Sequence, residues 1–230
     1  MTPFYADDLI TLYHCRCEDF MAECQDKQFE LAICDPPFGG GDIAAHIPRA
    51  KGTTKNKIHT AVLWNNAPSK EYFISLFRIS ENQIIWGANH YPQYLESSRG
   101  WIFWDKIYEN TFNFSAGELA YTSFDRILKM VRISQRWIPN TPLHIHPCQK
   151  PVALYRWLLQ NYAKPGWTIF DSHGGSLSLA IACHDLGFKL VATECDLDYL
   201  TAAVNRIKNY LKQPKWFKPS APAAEQTTLF

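Results

Sequence analysis

The chain has 230 residues and a formal net charge of +1, with 23 Lys and Arg against 22 Asp and Glu, so any nucleic-acid surface must be a local basic patch balanced by acids elsewhere. A hydrophobic content of 47% with 14% aromatic residues excludes a disordered polymer and suffices for one large domain with a full core. No run approaches the roughly 20 apolar residues of a membrane span, and no basic-then-apolar signal peptide is present, which makes the cytoplasm the expected compartment. The seven cysteines are an odd number, several lying inside apolar runs as small hydrophobes. Cys15 and Cys17, with His14 and Cys24 nearby, have no second pair at finger-like spacing, so no metal is expected.

In chain order, residues 9–13 read as a strand and 18–24 as a short helix. The stretch Leu31-Ala32-Ile33-Cys34-Asp35-Pro36-Pro37-Phe38-Gly39-Gly40-Gly41 follows. Its apolar run is a buried strand from about residue 29 to 35, stopped by the prolines, which remove backbone donors and fix φ. The strand therefore ends on a carboxylate. Asp35 and the Pro36 carbonyl are acceptors on a stiff turn, with Phe38 beside them as a flat apolar surface. Such a turn suits a planar ring bearing an exocyclic NH2, although a bare Asp-Pro-Pro is more often an ordinary strand-to-loop turn. Periodicity then disappears over 39–66, where Arg49, Lys51, Lys55 and Lys57 occur with no acid after Asp42. This segment reads as a mobile basic loop able to neutralise phosphates, or else as a solvated loop that touches nothing.

Ser69 is a predicted N-cap and Glu71 a first-turn acid of a helix whose apolar face is Tyr72, Phe73, Leu76, Phe77 and Ile79. A strand and turn follow at 82–89; Tyr91 reads as a buried tyrosine that finishes the core and, with Asn89, becomes a candidate for the target-base side only through the family resemblance that the later motifs carry. Runs at 100–106 and 118–122 read as strands. In the first, Trp104-Asp105-Lys106 is expected to reach the pocket, while Trp101 and Phe103 are expected in the core. Residues 125–145 interleave Arg126, Lys129, Arg132 and Arg136 with apolar and aromatic residues, which reads as an amphipathic strand with a solvated charged face or, through the family resemblance that the later motifs carry, as the candidate segment for reading DNA. Pro151 is expected to open a helix carrying Val152, Leu154, Tyr155, Leu158, Leu159 and Tyr162 on its apolar side.

Thr168-Ile169-Phe170-Asp171 is a second apolar run ending in an acid, followed by Ser172-His173-Gly174-Gly175-Ser176 and a helix from Leu177 to Leu186. Strand, glycine-rich turn and helix in succession hold a nucleotide-type cofactor against a helix N-terminus. About twenty residues on, the strand 189–194 ends at Glu194, where a ribose-binding acid belongs. A last helix runs from Asp196 to about Leu211. The alternation predicts an α/β domain over 1–213, with a Rossmann-like, mainly parallel sheet, helices on both faces, and a flexible tail over 214–230.

With these motifs in place the chain resembles the amino-methyltransferases of DNA, adenine-N6 type, in the permuted order in which the Asp-Pro-Pro-Phe motif precedes the cofactor motif. The resemblance covers nearly the whole chain. It includes Asp35-Pro36-Pro37-Phe38, His146-Pro147-Cys148-Gln149-Lys150-Pro151 just before the cofactor strand, and Glu194-Cys195-Asp196-Leu197-Asp198-Tyr199. It implies a circularly permuted class I methyltransferase with S-adenosylmethionine as cofactor. The implied cofactor residues are Asp35, Lys150, Phe170, Asp171, Ser172, Gly174, Gly175, Ser176, Glu194 and Cys195. It implies double-stranded DNA as substrate, with Phe38 stacking on a flipped adenine while Asp35 and the Pro36 carbonyl accept its N6 hydrogens. Two departures stand out: Leu177 follows Gly175-Ser176 where the family's turn usually reads G-S-G, and Arg16 stands where the family usually has a cofactor-binding Asp.

Cytosine-N4 methylation offers the same amino geometry, but the family usually pairs it with Ser before the prolines. Methylation of RNA or of a protein amide usually goes with Asn there. A nicotinamide-dependent oxidoreductase would use the glycine turn and Glu194 but leave the Asp-Pro-Pro-Phe motif idle. A non-catalytic DNA-binding module would use the basic segments but neither acidic strand end. The terminal Gln226-Thr227-Thr228-Leu229-Phe230 is similar to the Q-x-x-L-F peptides that dock bacterial sliding clamps, where a pocket would bury Leu229 and Phe230. Deleting residues 226–230 is expected to abolish clamp pull-down while sparing methylation in vitro; an unchanged pull-down would exclude the clamp as a partner of this tail.

Overall fold

The structure is a computed structural model that describes residues 1–39, 66–107, 115–134, 145–146 and 148–213. Within them, nine strands form one sheet: β1 (Tyr5–Ala6), β2 (Ile10–His14), β3 (Phe29–Cys34), β4 (Ser80–Trp86), β5 (Ile102–Asp105), β6 (Gly117–Thr122), β7 (Lys129–Arg132), β8 (Thr168–Asp171) and β9 (Lys189–Glu194). Their order is β1-β2-β9-β8-β3-β4-β6-β5-β7. The five strands from β2 to β4 are mutually parallel, β6 runs antiparallel between β4 and β5, and β7 lies parallel to β5 at the edge. The expected mainly parallel sheet is thus present, extended by a hairpin and by the antiparallel β1.

Five α-helices cover it: α1 (Cys17–Glu23), α2 (Lys70–Ile79), α3 (Val152–Tyr162), α4 (Ser178–Leu186) and α5 (Leu197–Leu211). Parallel strands need crossovers, and those helices bury both faces, so central strands are apolar on both sides. Leu31 and Ile33 of β3 face the cluster built with α3, α4 and α5, whereas Ala32 and Cys34 face the one built with α1 and α2. Asp196 caps α5 through its side chain, which accepts from the amides of Asp198 and Tyr199. Ser69 occupies the N-cap of α2 without a side-chain cap bond, and Pro151 sits at the N-cap of α3 rather than inside its first turn.

In β5 the expected facing is reversed for Trp104, which is fully buried and has its indole N–H on the Ile133 carbonyl at 2.8 Å, while Trp101 and Phe103 are only half-buried. The reason is pairing: with β6 on one side and β7 on the other, the face bearing Ile102 and Trp104 lies over the larger core cluster. The basic stretch with Arg49, Lys51, Lys55 and Lys57, together with Arg136 and the tail residues Gln226, Leu229 and Phe230, lies outside the described residues. No described helix is long and apolar enough to cross a membrane.

The three C-terminal helices are joined by one polar clamp. Asp185, 2% exposed on its side chain, accepts from Arg156 Nε at 2.8 Å and from the Tyr210 hydroxyl at 2.8 Å, and the Arg156 guanidinium also meets that hydroxyl at 3.1 Å. Removing one partner of a buried pair strands the other charge. Because the Arg156 side chain is itself 36% exposed, Arg156→Met is expected to lower the unfolding free energy by about 1–2 kcal/mol in urea denaturation, and an unchanged midpoint would show the pair to be solvated.

Candidate active site

β9, β8 and β3 are consecutive and parallel, so their carboxyl ends share one edge of the sheet. Each ends in an acid: Glu194 closes β9, Asp171 closes β8, and Asp35 follows the last residue of β3. The two acidic strand ends expected from the sequence are therefore neighbours, at the edge where open α/β sheets bind ligands. Burial, reinforced by the Asp35 and Glu194 charges, pushes the Asp171 carboxyl up to about 7 although it accepts from the His173 amide. Burial likewise raises Glu194. Buried carboxyls held toward their neutral forms gain ionisation from a nearby cation and lose it beside a pyrophosphate, which favours a sulfonium cofactor over a dinucleotide.

The glycine turn is fastened to β9. Gly174 N–H donates to the Thr193 carbonyl at 2.8 Å, and the two Glu194 oxygens accept from the amides of Gly175 at 2.7 Å and Asp196 at 2.9 Å. Each carboxylate oxygen retains a lone pair, which fits the ribose-binding role. At the departure from G-S-G, Leu177 adopts the left-handed conformation (φ 52°, ψ 38°) that a glycine would take without strain. That conformation costs roughly 1–2 kcal/mol in an L-residue. The Leu177 side chain is 1% exposed, and its burial, worth about 1.5–3 kcal/mol, offsets the strain. It fills the space beside Gly174, where a Cβ would come within 2.8 Å of Leu177 Cδ2. The second departure, Arg16, is at the N-cap of α1 with its guanidinium 3.6 Å from Glu18 on the surface.

The segment before α3 links the two halves of the site. His146 packs edge-on against Tyr199 at 4.5 Å and lies over Gly175, while Lys150, four residues on, reaches Asp35. The Lys150 side chain, 4% exposed, is paired with Asp35 Oδ2 and lies 3.1 Å from Glu118 Oε2, and Lys106 Nζ lies 2.6 Å from Glu118 Oε1. Four charges of alternating sign thus run Asp35, Lys150, Glu118, Lys106. Burial works against the charged forms, but Asp35 and Glu118 together raise the Lys150 ammonium above its ordinary value. Burial also opposes ionised Glu118, yet the two ammonium groups hold it below the usual carboxylate range. Asp35 is raised by burial and by Glu118 against the pull of Lys150. Asp35 Oδ1 is buried and has no hydrogen-bond partner among the described residues, an acceptor left open for a donor.

Glu118 and Lys106 were not among the expected cofactor or catalytic residues, although Trp104-Asp105-Lys106 was expected to approach the pocket. The available signal was a lone acid inside the apolar run Gly117–Thr122; its partner follows from the hairpin register, which sets Glu118 opposite Trp104, two residues from Lys106.

Phe38 stacks on the exposed His90 ring at 4.8 Å and 13°, so one face of Phe38 already accepts a coplanar ring. It packs so closely on Gly87 (φ +64°) that any Cβ there would collide with it. Tyr91, 1% exposed, donates its hydroxyl to the Pro36 carbonyl at 3.2 Å and to the Pro37 carbonyl, locking the turn. The Pro36 carbonyl keeps one lone pair. Asn89 is exposed beside His90.

Other expected residues have structural partners. The Phe170 ring is fully buried between Phe29 (4.9 Å, 20°) and Phe20 (5.7 Å, 11°), so it is core, and only its backbone borders the site. Ser172 Oγ bonds Tyr72 and His173 at 2.7 and 2.8 Å, and Ser176 Oγ lies 3.2 Å from Ser178 Oγ. Cys195 is exposed, with its carbonyl 3.1 Å from His14 Nε2. Of the expected DNA-binding cations, Arg126 lies over Phe124 and Tyr162 and donates to the Asn161 carbonyl at 2.6 Å, Arg132 pairs with Asp105 at 2.9 Å, and Lys129 is exposed on β7.

Because the folded protein holds the Asp171 proton to about 7 while the unfolded chain releases it near 3.8, stability falls as pH rises through that window. Asp171→Asn keeps an acceptor for the His173 amide without the charge. Its gain in Tm is expected to grow from pH 5 to pH 8, and a pH-independent difference would contradict the assigned burial cost.

Comparison with known proteins agrees with this geometry. A family model described as DNA methylase, of N6/N4 type, matches residues 45–205. The type II methyltransferase M1.MboII of Moraxella bovis is 21% identical over 255 aligned positions covering 87% of this chain and 97% of that protein. Among solved structures, the M1.HpyAVI–SAM complex superposes with a TM-score of 0.58 at 15% identity, covering 86% of this chain and 99% of that one. The PvuII DNA methyltransferase, cytosine-N4-specific, superposes with a TM-score of 0.61 at 11% identity, covering 90% and 93%. The structural likenesses show the class I methyltransferase fold. With the family model matched over most of its length, the chain belongs to the N6/N4 DNA methylases, a family of S-adenosylmethionine-dependent enzymes.

Proposed function

We propose that this methyltransferase acts on the N6 amino group of adenine in double-stranded DNA, at the pocket between the Asp35-Pro36-Pro37-Phe38 turn and the glycine turn 171–176. The observation that carries this reading is the open acceptor Asp35 Oδ1 on a turn whose aromatic residue already stacks a planar ring. Asp35 and the Pro36 carbonyl accept the two N6 hydrogens, favouring the pyramidal amine of the transition state over the conjugated planar one. The base is flipped from the duplex at a cost of a few kcal/mol and takes the place of the His90 ring against Phe38. S-adenosylmethionine, when bound, supplies a methyl group activated by its sulfonium. Glu194 would hold its ribose hydroxyls, the amides of the glycine turn its remaining polar groups, and Asp171 its positive charge. The amine needs no prior deprotonation; the proton afterwards passes from the alkylated nitrogen to Asp35 Oδ1, which already accepts it in a hydrogen bond, and from there to solvent.

Adenine rather than cytosine is supported by Asp at position 35, where N4 enzymes of the resembled family usually have Ser. Lys129 and the exposed guanidinium of Arg132 would meet phosphates, as would Arg49, Lys51, Lys55, Lys57 and Arg136. Incubation with labelled S-adenosylmethionine and unmethylated DNA, followed by digestion to nucleosides, is expected to yield N6-methyladenine; N4-methylcytosine would correct the base, and no labelled nucleoside would end the reading. Asp35→Ala is expected to abolish transfer while cofactor affinity stays within about tenfold.

A further inference from the structure

Lys150 comes from a segment with no regular secondary structure, so its backbone alone does not fix where the ammonium sits. Glu118, by contrast, projects from strand β6, and Lys106 occupies one of its oxygens at 2.6 Å, leaving the other 3.1 Å from Lys150. The indole rings of Trp86 and Trp104 flank the two ammonium groups at 5.5 and 5.2 Å. We infer that Glu118, anchored by Lys106, is a positioning residue for methyl transfer: it draws the Lys150 ammonium toward itself so that Lys150 engages only Oδ2 of Asp35 and Oδ1 stays open for the substrate amine. The inference rests on the proposed amino-methyl transfer.

An ammonium has three donors and no fixed plane. Without a second carboxylate in reach, Lys150 would spend those donors on both oxygens of Asp35 and close the acceptor that the chemistry requires. Shared between two acids, it neutralises neither completely. Asp35 then has one oxygen committed to Lys150 and one free. The charged groups acting on Asp35 are Lys150, Glu118 and Lys106, with Asp171 alongside from β8; Tyr91, Tyr155 of α3 and Cys148 face it as neutral groups.

The test measures kcat and KM for S-adenosylmethionine on unmethylated duplex DNA from pH 5 to 9 with the full chain. Glu118→Gln leaves Lys150 wholly to Asp35 and removes a neighbouring negative charge. The expected outcome is a kcat lower by about tenfold, KM within about threefold, and an acidic limb displaced by roughly one unit to lower pH. Lys150→Met is expected to displace that limb the opposite way, and Glu118→Asp to restore part of the lost kcat. Since Glu118→Gln also strands Lys106, the double variant Glu118→Gln/Lys106→Met, which keeps the cluster neutral, is expected to shift the limb in the same direction but by less, because Lys106 itself holds Asp35 down.

An unchanged kcat and limb in a folded variant overturns the inference, as does a rise in KM alone, which would make the cluster a cofactor-binding element. Failure of both the single and the double variant to fold would assign the cluster to stability and equally overturn it. If the unaltered protein methylates no base, the functional reading itself fails, an outcome distinct from an active enzyme indifferent to Glu118.

Discussion

The parallel pairing of β3 with β8, Leu31 against Ile169 and Ala32 against Phe170, is the contact on which the site depends. It joins segments from opposite halves of the chain and sets the Asp35 turn beside the glycine turn that follows Asp171. Parallel strands cannot be joined by a tight turn, so the pairing requires helical crossovers and apolar faces on both sides. Those needs account for the doubly apolar β3 and β8 and for the helices above and below them. The same pairing leaves the strand ends free of helices, where polar groups collect.

What collects there is unusual in its charge. Three carboxylates on adjacent strand ends oppose one another's ionisation, and two lysines are drawn into the protein to compensate on the Asp35 side alone. On the other side burial raises Asp171 and Glu194, so a cationic ligand would draw both carboxyls into their ionised forms. The two ends of this row thus differ: Asp35 is balanced by ion pairs and has a single open acceptor, whereas Asp171 and Glu194 have no lysine or arginine paired with them among the described residues. A phosphate-bearing cofactor would meet repulsion at the second, which speaks against a nicotinamide-dependent oxidoreductase although the strand, turn and helix pattern is common to both.

The Leu177 departure illustrates how the backbone requirement outranks the side-chain habit. The turn demands a left-handed residue at the start of α4, and the chain meets that demand with a leucine whose buried side chain repays the strain by packing against Gly174. Tyr91 shows a related economy, since one buried phenol both completes the core and fixes the carbonyls of Pro36 and Pro37.

Local patterns in the chain were enough to determine the strands at 29–34, 168–171 and 189–194, the helices between them, the mainly parallel α/β arrangement, and the acids Asp35, Asp171 and Glu194 at strand ends. These follow from apolar periodicity and from prolines and glycines, which act over a few residues and are legible without any long-range contact. Only the tertiary structure decided that Phe170 is core, that Arg126 and Arg132 are engaged within the protein, and that Glu118 and Lys106 share the Lys150 charge. Those outcomes depend on which strand lies next to which, and an ion pair between residues more than thirty positions apart carries no local mark in either segment.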